Sequence, residues 1–479
     1  MTPATTDDRP PIVVIGAGPA GLGAAWTLAH AGERICLVER DTQAGGLCRS
    51  LRRGALTVDL GAHYLSTELP EVRGLIAALL GDEVLRLRRL TGFFWRGRHH
   101  AYPPRLPELA RHLPPGELAG FVTGLVRARL APGDADSHAA TLRAHYGAPL
   151  YDAFFAPYLR KVWGMDADEL DPGTQSGRAD GSFGLWLAAR WRALMHGADA
   201  GRHDAEVFYP PDGIGSFYEA IAGWLRAQGH ELRMGREVVA IEHADGRITG
   251  LRLRAADGEE SHLPCRGLLS SMPLRLLATR LSPALPAPLL ADAGALRMRS
   301  TVLVYLVQRD TRPFPEHSVY VTDAGLGMTR LTNFTNWSPR LMPGPGLTCL
   351  CCEYWCDAGD AVWTADEAAL VTLAREELAA MGLADDAPPI DSFVVRLAGT
   401  HPVLDRAGRA ARERLGAALD GFGNLVVTGR GGAFGHLDQD RALVDGIEAA
   451  RRLLAKPAAG GMAPPAPARD GPVPGDQPS

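Results

Sequence analysis

The chain has 479 residues, 46% of them hydrophobic and 22% charged, enough for two or three domains or subdomains around a large core. Its formal net charge of -5 offers no basic surface, so nucleic acid is not expected as a partner. No apolar run reaches the roughly 18 to 20 residues of a membrane helix, and no N-terminal stretch resembles a signal peptide. We therefore expect a cytoplasmic protein without an integral membrane segment.

The first predicted unit is a dinucleotide-binding βαβ motif. An apolar strand at Ile12–Ile15 runs directly into Gly16-x-Gly18-x-x-Gly21, which opens an Ala-rich helix ending near His30. The first glycine permits a tight turn, the second lets the backbone approach a pyrophosphate, and the third allows close packing of helix on strand. The N-terminus of the helix would then face the phosphates.

A second apolar strand at Ile35–Val38 ends in Glu39, where a carboxylate can accept hydrogen bonds from ribose hydroxyls. A second glycine turn follows at Gly45 and Gly46, and Arg49 places a guanidinium there that suits bidentate phosphate contact. Dinucleotide binding alone does not separate NAD from FAD.

The distinction comes from the segments GGLCRS and VDLGAHYL, at residues 45–50 and 58–65. Together they resemble the first FAD-binding segment of the flavin amine oxidase and protoporphyrinogen oxidase superfamily, in particular its bacterial protoporphyrinogen-oxidase-like members. The resemblance extends over about residues 11–455 and includes similarity to UDP-galactopyranose mutases. It implies an α/β fold, with a Rossmann-like FAD-binding domain of glutathione-reductase type assembled from distant segments and an α+β substrate domain.

The resemblance also divides the chain. The FAD-binding domain would comprise residues 11–69, 206–275 and 401–455, and the substrate domain residues 70–205, which are largely helical, and 276–400. Residues 456–479, rich in Pro, Gly and Ala, would form a disordered tail. An amphipathic pattern over residues 105–130 is broken at the prolines of positions 114 and 115, and packing is favoured there over a membrane-lying face.

Aromatic residues are dense between positions 146 and 192. Phe155, Tyr158, Trp163 and Arg178 are candidates for lining a substrate cavity, although aromatics at helical spacing are more often part of a core. Further on, the pattern predicts one strand over residues 232–241.

The segment 330–339 contains polar residues that are candidates for binding the substrate. Arg330, Asn333 and Asn336 could bind a hydroxylated substrate, or the asparagines could merely hold the loop through Asx turns. Four cysteines at residues 349–356 lie in an apolar strand without a further His or Cys group, so we expect buried thiols and no metal site.

The last unit is a strand at residues 424–427, a glycine turn at 429–432 and a helix from Asp438 to about Leu454. The resemblance implies that this helix directs its N-terminus at the flavin, where the helix dipole favours negative charge. Phe434 to Asp440 replace the family's usual aromatic and Asn-rich run, which makes the substrate-side chemistry less certain. The turn has no cysteine, so the FAD should be bound noncovalently.

The resemblance assigns the site residues as follows. His63 is expected beside the flavin ring, as a hydrogen-bonding or proton-transferring group or as a structural histidine, and it joins Arg330 and Asn333 as a catalytic candidate. The implied FAD contacts are Gly16, Gly18, Pro19, Ala20, Gly21, Glu39, Arg40, Gly45, Gly46, Leu47, Arg49, Gly61, Ala62, His63, Val238, Ser271, Gly429, Arg430, Asp438 and Gln439.

Two functions from different enzyme classes follow. No second GxGxxG is visible, so electrons are expected from the substrate, in an FAD-dependent oxidoreductase that takes hydride from a small molecule. Residues 298–301 lack the lysine that amine oxidases of the superfamily keep near this position, which weighs against an orthodox amine oxidase. The alternative is an isomerase resembling UDP-galactopyranose mutase, acting on a nucleotide sugar without net oxidation. A noncatalytic flavoprotein is the third hypothesis. Substrate identity and oligomeric state stay open.

Overall fold

A computed structural model of the chain describes residues 9–65, 69–102, 111–130, 136–172, 206–310, 314–384 and 387–456. The predictions for Arg178 and for residues 457–479 of the tail lie outside these ranges.

The strands are β1 Ile12–Ile15, β2 Ile35–Val38, β3 Ser50–Arg53, β4 Leu56–Asp59, β5 Leu85–Arg88, β6 Thr91–Trp95, β7 Arg98–Tyr102, β8 Glu206–Tyr209, β9 Glu231–Arg233, β10 Arg236–Ala244, β11 Arg247–Ala255, β12 Glu260–Pro264, β13 Gly267–Ser270, β14 Leu281–Ser282, β15 Met298–Arg309, β16 Ser318–Val321, β17 Arg330–Asn333, β18 Leu347–Cys356, β19 Asp391–Pro402 and β20 Leu425–Val427. The longer helices are α1 Pro19–His30, α2 Pro70–Leu80, α3 Pro115–Leu130, α4 His138–Tyr146, α5 Ala156–Trp163, α6 Gly215–Ala227, α7 Leu274–Arg280, α8 Ala287–Ala295, α9 Glu367–Ala380, α10 Arg406–Asp420 and α11 Gln439–Ala455.

A five-stranded parallel sheet gathers strands from the beginning, the middle and the end of the chain, in the order β20, β13, β1, β2, β9. Ile12 of β1 lies opposite Gly267 of β13, and Leu268 of β13 lies opposite Leu425 of β20. The strands are short, and apart from the edge strand β9 they are almost wholly apolar and buried, as expected for a parallel sheet that is covered on both faces.

A second, seven-stranded mixed sheet has the order β19, β15, β18, β17, β16, β6, β7. Strand β15, next to the edge strand β19, is buried along nearly its whole length, and its neighbour β18 carries the four clustered cysteines, all buried. The mixed α/β fold confirms the predicted fold class. The predicted domain boundaries stay a prediction.

The prediction of a single strand over residues 232–241 is wrong in one respect. The chain makes two strands there, because Gly235, with φ of +67°, turns the backbone between β9 and β10. β9 joins the parallel sheet, whereas β10, which contains Val238, pairs with β11 in a separate four-stranded sheet. An apolar pattern of period two does not mark such a change of sheet.

Close packing of α1 on α11 joins the two ends of the FAD-binding region. A Cβ atom at Gly446 would lie 1.9 Å from the carbonyl oxygen of Ala20, and one at Gly23 would lie 2.4 Å from that of Leu443. Both helices therefore approach each other at backbone distance, which only glycine allows. This contact places the segment before α11 beside the glycine turn before α1.

Gly446→Ala tests this packing against Gly74→Ala, a matched substitution in helix α2. Gly74 is exposed and a Cβ there would meet nothing within 4 Å. We expect Gly446→Ala to lower the free energy of unfolding by about 1–3 kcal/mol or more through overpacking. Gly74→Ala should raise it by roughly 0.5–1 kcal/mol through helix propensity. Urea denaturation of both variants measures the difference, and equal stabilities would contradict the proposed close approach.

Candidate active site

The two predicted glycine turns meet at one place. Gly16 has φ of +97°, and a Cβ there would lie 2.2 Å from Oγ of Ser271. A Cβ at Gly46 would lie 3.1 Å from Cα of Gly18. The Gly45 amide donates to the carbonyl oxygen of Ala17 at 2.7 Å, which links the turns. The result is a cradle of bare backbone at the N-terminus of α1, which fits a pyrophosphate.

Charged groups flank this cradle. Glu39, at the end of β2, is 8% exposed, and its carboxylate accepts from the amides of Ala17 at 2.6 Å and Asp41 at 2.9 Å. Arg49 donates to Asp41 at 3.1 Å and to the carbonyl oxygen of Gly46 at 2.9 Å. Both lie beside the cradle, and their contacts with ribose and phosphate stay predictions. Arg40 is exposed.

The predicted contacts from the middle of the chain lie on strands that border this region. Val238 is buried on β10 opposite Leu253, next to a shift in strand register. Ser271 follows β13, and its hydroxyl donates to the carbonyl oxygen of Ile15 at 2.8 Å. Contact of either residue with FAD stays a prediction.

Asp59 is a fully buried carboxylate that joins three segments of the cofactor region. It accepts from Ser50 Oγ at 2.5 Å, from Tyr209 Oη at 2.6 Å and from the Ile214 amide at 3.0 Å. Burial raises its pKa to about 6, although these three donors partly offset the effect. Asp59 therefore fixes the strand that leads into Gly61 and His63.

A cavity of about 610 Å³ lies between this strand, the seven-stranded sheet and the closing segment. The sequence candidates among its lining residues are Leu47, Ala62, His63, Tyr158, Trp163, Arg330, Arg430, Asp438 and Gln439. Phe155 and Asn333 are not among the residues that line it. Phe155 is instead 1% exposed within an aromatic core cluster.

His63 lines the cavity and is half-buried as a residue, while its Nδ1 atom is buried and has no hydrogen-bond partner. Burial first, and then the charges of Arg330 and Arg430, lower the pKa of His63 to about 3. The ring is therefore neutral at physiological pH and keeps one nitrogen for a partner from outside the protein. This favours a role at the ring of the cofactor or at the substrate over a merely structural one.

Arg330 forms a bidentate ion pair with Glu353, which lies opposite it on the neighbouring strand. Nε donates at 2.9 Å and Nη2 at 2.7 Å, and the Glu353 side chain is only 2% exposed. Glu353 also accepts from the Ala62 amide at 3.3 Å. The pair thus ties the seven-stranded sheet to the loop that carries His63, and Arg330 is a partnered rather than a free cation.

Asn333 has the structural role that the sequence left open. Its Oδ1 accepts from the Thr335 amide at 3.1 Å and from Thr348 Oγ1 at 2.9 Å, and the residue is 3% exposed. Asn336 likewise donates to the backbone carbonyls of Phe314 and Glu316. Because these amides cap and hold the loop, we withdraw Asn333 as a catalytic candidate.

The closing segment brings Arg430 and Gln439 to the cavity. Gly429 has φ of +78°, and the Arg430 guanidinium donates from Nε at 2.9 Å and from Nη2 at 2.6 Å to the carbonyl oxygen of Leu437. Gln439, the first residue of α11, donates to the backbone carbonyl of Tyr64 and accepts from Tyr218 Oη at 3.0 Å. Asp438 is the N-cap of this helix.

The cavity wall also contains residues to which the sequence assigned no role, among them His401, Trp355 and Glu353. His401 stacks on Trp355 with ring centroids 3.9 Å apart, and Glu353 partners Arg330. Burial lowers the pKa of His401 well below its ordinary value. A single carboxylate inside the apolar run at residues 347–356 was a signal for Glu353, whereas nothing in the sequence pairs His401 with Trp355.

Comparison with known proteins decides the family. Residues 19–454 match the profile of a protein family described as "flavin containing amine oxidoreductase". The chain belongs to this family. The predicted FAD cofactor is thereby confirmed.

Similarity to individual curated proteins is weaker. Human all-trans-retinol 13,14-reductase is 46% identical over 54 residues, which are 11% of this chain and 9% of that protein. Streptomyces griseus phytoene dehydrogenase is 24% identical over 70% of this chain and 67% of its own. The first of these matches thus spans about a tenth of the relative's length, and substrates do not follow from it.

Solved structures show the same fold over almost the whole chain. Reduced UDP-galactopyranose mutase superposes with a TM-score of 0.77 at 22% identity, over 93% of this chain and 94% of that one. A candidate protoporphyrinogen oxidase from Exiguobacterium sp. 255-15 gives 0.69 at 18% identity, over 94% and 99%. The predicted superfamily resemblance is confirmed.

Among the residues that the structure describes, no helix is both long and apolar enough to cross a membrane. In the same part of the chain, no group of three or more His, Cys, Asp or Glu residues could hold a metal ion.

The raised pKa of Asp59 predicts a pH-dependent difference between the protein and Asp59→Asn. The folded state holds a proton on Asp59 up to about pH 6, whereas an unfolded Asp loses it near pH 4. The unfolding free energy of the wild type should therefore fall by about 2 kcal/mol relative to the variant as pH rises from 4 to 6. Urea denaturation across this range measures it. Parallel curves would show that folding does not raise the pKa of Asp59.

A double-mutant cycle tests the Arg330–Glu353 pair. Arg330→Met and Glu353→Met each leave one buried charge without its partner, which typically costs about 3–5 kcal/mol. The double variant should lose clearly less than the sum of the two, because both charges are gone. The exposed pair Arg53 and Asp391 is the control and should hardly affect stability. Additive losses at positions 330 and 353 would contradict the coupling.

Proposed function

We propose that the protein binds FAD noncovalently between the glycine cradle and the closing segment, and oxidises a small polar molecule in the cavity beside His63. The observation that carries the proposal is the cavity itself. The loop after Gly61, Arg430 and the start of α11 all line it. Residues of its wall carry buried polar atoms that have no hydrogen-bond partner in the protein. Of the catalytic candidates from the sequence, His63 and Arg330 are retained.

The residues supply binding, orientation and electrostatics. FAD, when bound, supplies the acceptor of the hydride. His63 is neutral and can donate or accept one hydrogen bond at the open Nδ1 atom. Glu353 and Arg330 hold the backbone of the His63 loop, and Arg430 places a cation at the same wall.

The polarity of the cavity bears on the class of substrate. The lining residues include four arginines and three histidines, namely Arg89, Arg330, Arg430, Arg441, His63, His401 and His436. Burying a hydrocarbon against these charged arginines and neutral but polar imidazoles would remove their hydration without replacing it. This favours an oxygen-rich or charged substrate over the polyene suggested by the name phytoene dehydrogenase.

A flavin-dependent isomerase acting on a nucleotide sugar is the second candidate. It is favoured by the arginines of the cavity, which suit a phosphate-bearing substrate, and by the aromatic residues Tyr158, Trp163, Tyr320 and Trp355. The similarity to reduced UDP-galactopyranose mutase supports the fold that this function requires, and by itself nothing more.

Anaerobic spectroscopy of the purified protein separates these functions. We expect the oxidised flavin absorbance to bleach when a panel of small polar metabolites is added without another reductant. If nucleotide sugars instead turn over only after chemical reduction of the flavin, the isomerase is correct. A protein that retains no flavin, even after incubation with FAD, would overturn both.

A further inference from the structure

Four buried polar side-chain atoms without hydrogen-bond partners belong to residues that line the cavity: His63 Nδ1, Thr91 Oγ1, Trp163 Nε1 and His436 Nε2. Unsatisfied buried polar groups are costly and rare in folded proteins. Of the nine such atoms in the described part of the chain, these four belong to residues around one cavity, which points to a ligand that completes their hydrogen bonds. His63 already belongs to the proposed site and Trp163 is a candidate for its wall, whereas the hydrogen-bonding roles of the Trp163 indole and of His436 are unassigned.

Trp163 and His436 form one corner of the cavity. Their ring centroids are 4.7 Å apart, with an angle of 62° between the ring planes. Trp163, the last residue of α5, is 1% exposed, so its indole nitrogen cannot turn to bulk solvent. His436 belongs to the closing segment and is far from Trp163 in the sequence.

The chemistry of these two atoms selects the ligand group. An indole N–H only donates, so it requires an acceptor. A neutral imidazole can present a second donor at Nε2 beside it. Two neighbouring donors at a buried site suit a group with several acceptor oxygens.

The local charge favours a negative group. The Arg430 guanidinium directs Nε and Nη2 at the carbonyl oxygen of Leu437, a neutral acceptor that does not cancel its charge. After burial, the charge of Arg430 is the next cause that lowers the pKa of His436, to about 3. The positive potential of Arg430 thus reaches the corner, while Glu353 is engaged by Arg330. Asp438 and Asp440 also line the cavity, against the three arginines that are not paired with Glu353, namely Arg89, Arg430 and Arg441.

We propose that the Trp163–His436 corner is a recognition subsite for an anionic oxygen group of the substrate, a carboxylate or a phosphate. The inference rests on the proposed function, because the substrate would be the molecule oxidised in this cavity. The subsite makes the enzyme selective for acids or phosphate esters over neutral analogues of the same shape.

Calorimetric titration of the FAD-loaded protein with benzoate, phenyl phosphate and benzamide tests the subsite. The phenyl ring suits the aromatic wall, and benzamide is the neutral counterpart of benzoate. We expect at least one anion to bind with a dissociation constant in the millimolar range or below, about tenfold or more tighter than benzamide. Tighter benzoate identifies a carboxylate, and tighter phenyl phosphate identifies a phosphate.

Trp163→Phe removes the indole donor and keeps an aromatic ring, so it should weaken binding of the preferred anion by about tenfold or more. Trp337→Phe is the matched control, because the Trp337 indole nitrogen is also buried without a partner but the residue does not line the cavity. It should leave anion binding unchanged. His436→Phe is a second variant at the corner and should weaken binding as well.

Two results would overturn the subsite: anions that bind no tighter than benzamide, or wild-type anion affinity in both Trp163→Phe and His436→Phe. The flavin absorbance of each sample separates this failure from failure of the proposed function. Flavin-loaded protein that does not distinguish anions refutes the subsite alone, whereas protein that cannot be loaded with FAD refutes the function on which the subsite rests.

Discussion

The close contact of α1 with α11 is the constraint on which the site depends. About 400 residues separate these helices, and their backbones meet where Gly446 faces Ala20 and Gly23 faces Leu443. The glycine turn before α1 would hold the pyrophosphate, and the segment before α11 contributes Arg430 and Gln439 to the cavity. A side chain at either glycine would force the helices apart and would therefore separate the two halves of the cofactor region.

Two buried carboxylates then fix what lies between these halves. Asp59 accepts hydrogen bonds from Ser50, Tyr209 and the Ile214 amide, and residue 50 is far in sequence from residues 209–214. Glu353 receives Arg330 and the Ala62 amide. Asp59 and Ala62 are three positions apart, so the loop that carries His63 is held from both sides. The position of His63 thus depends on a carboxylate behind the loop, Asp59, and on a carboxylate in the cavity wall, Glu353.

The sequence predicted best what local geometry dictates. The order of strand, glycines, helix, strand and Glu39 requires nothing beyond neighbouring residues, and the structure places Gly16, Gly46, Glu39 and Arg49 around one cradle. Residues of the cavity wall were harder to predict, because their roles depend on partners from other elements. The Asn333 side chain holds a loop by accepting a hydrogen bond from Thr348, and the charge of Arg330 is balanced by Glu353. The spacing of these residues along the chain does not reveal either contact. The break between β9 and β10 is hidden for a similar reason, since Gly235 changes the sheet without interrupting the apolar pattern.

Arginine and histidine contribute differently to the electrostatics of the cavity. Arginine keeps its charge even when buried, whereas a buried histidine near a cation gives up its proton. Arg430 therefore keeps its positive charge and Arg330 keeps its charge within the ion pair with Glu353, while burial first and the nearby guanidiniums second keep His63 and His401 neutral. A neutral imidazole retains both a donor and an acceptor nitrogen, which an imidazolium does not. The wall thus combines fixed positive potential with groups that can hydrogen-bond in either sense, and its electrostatic character stays constant over the physiological pH range.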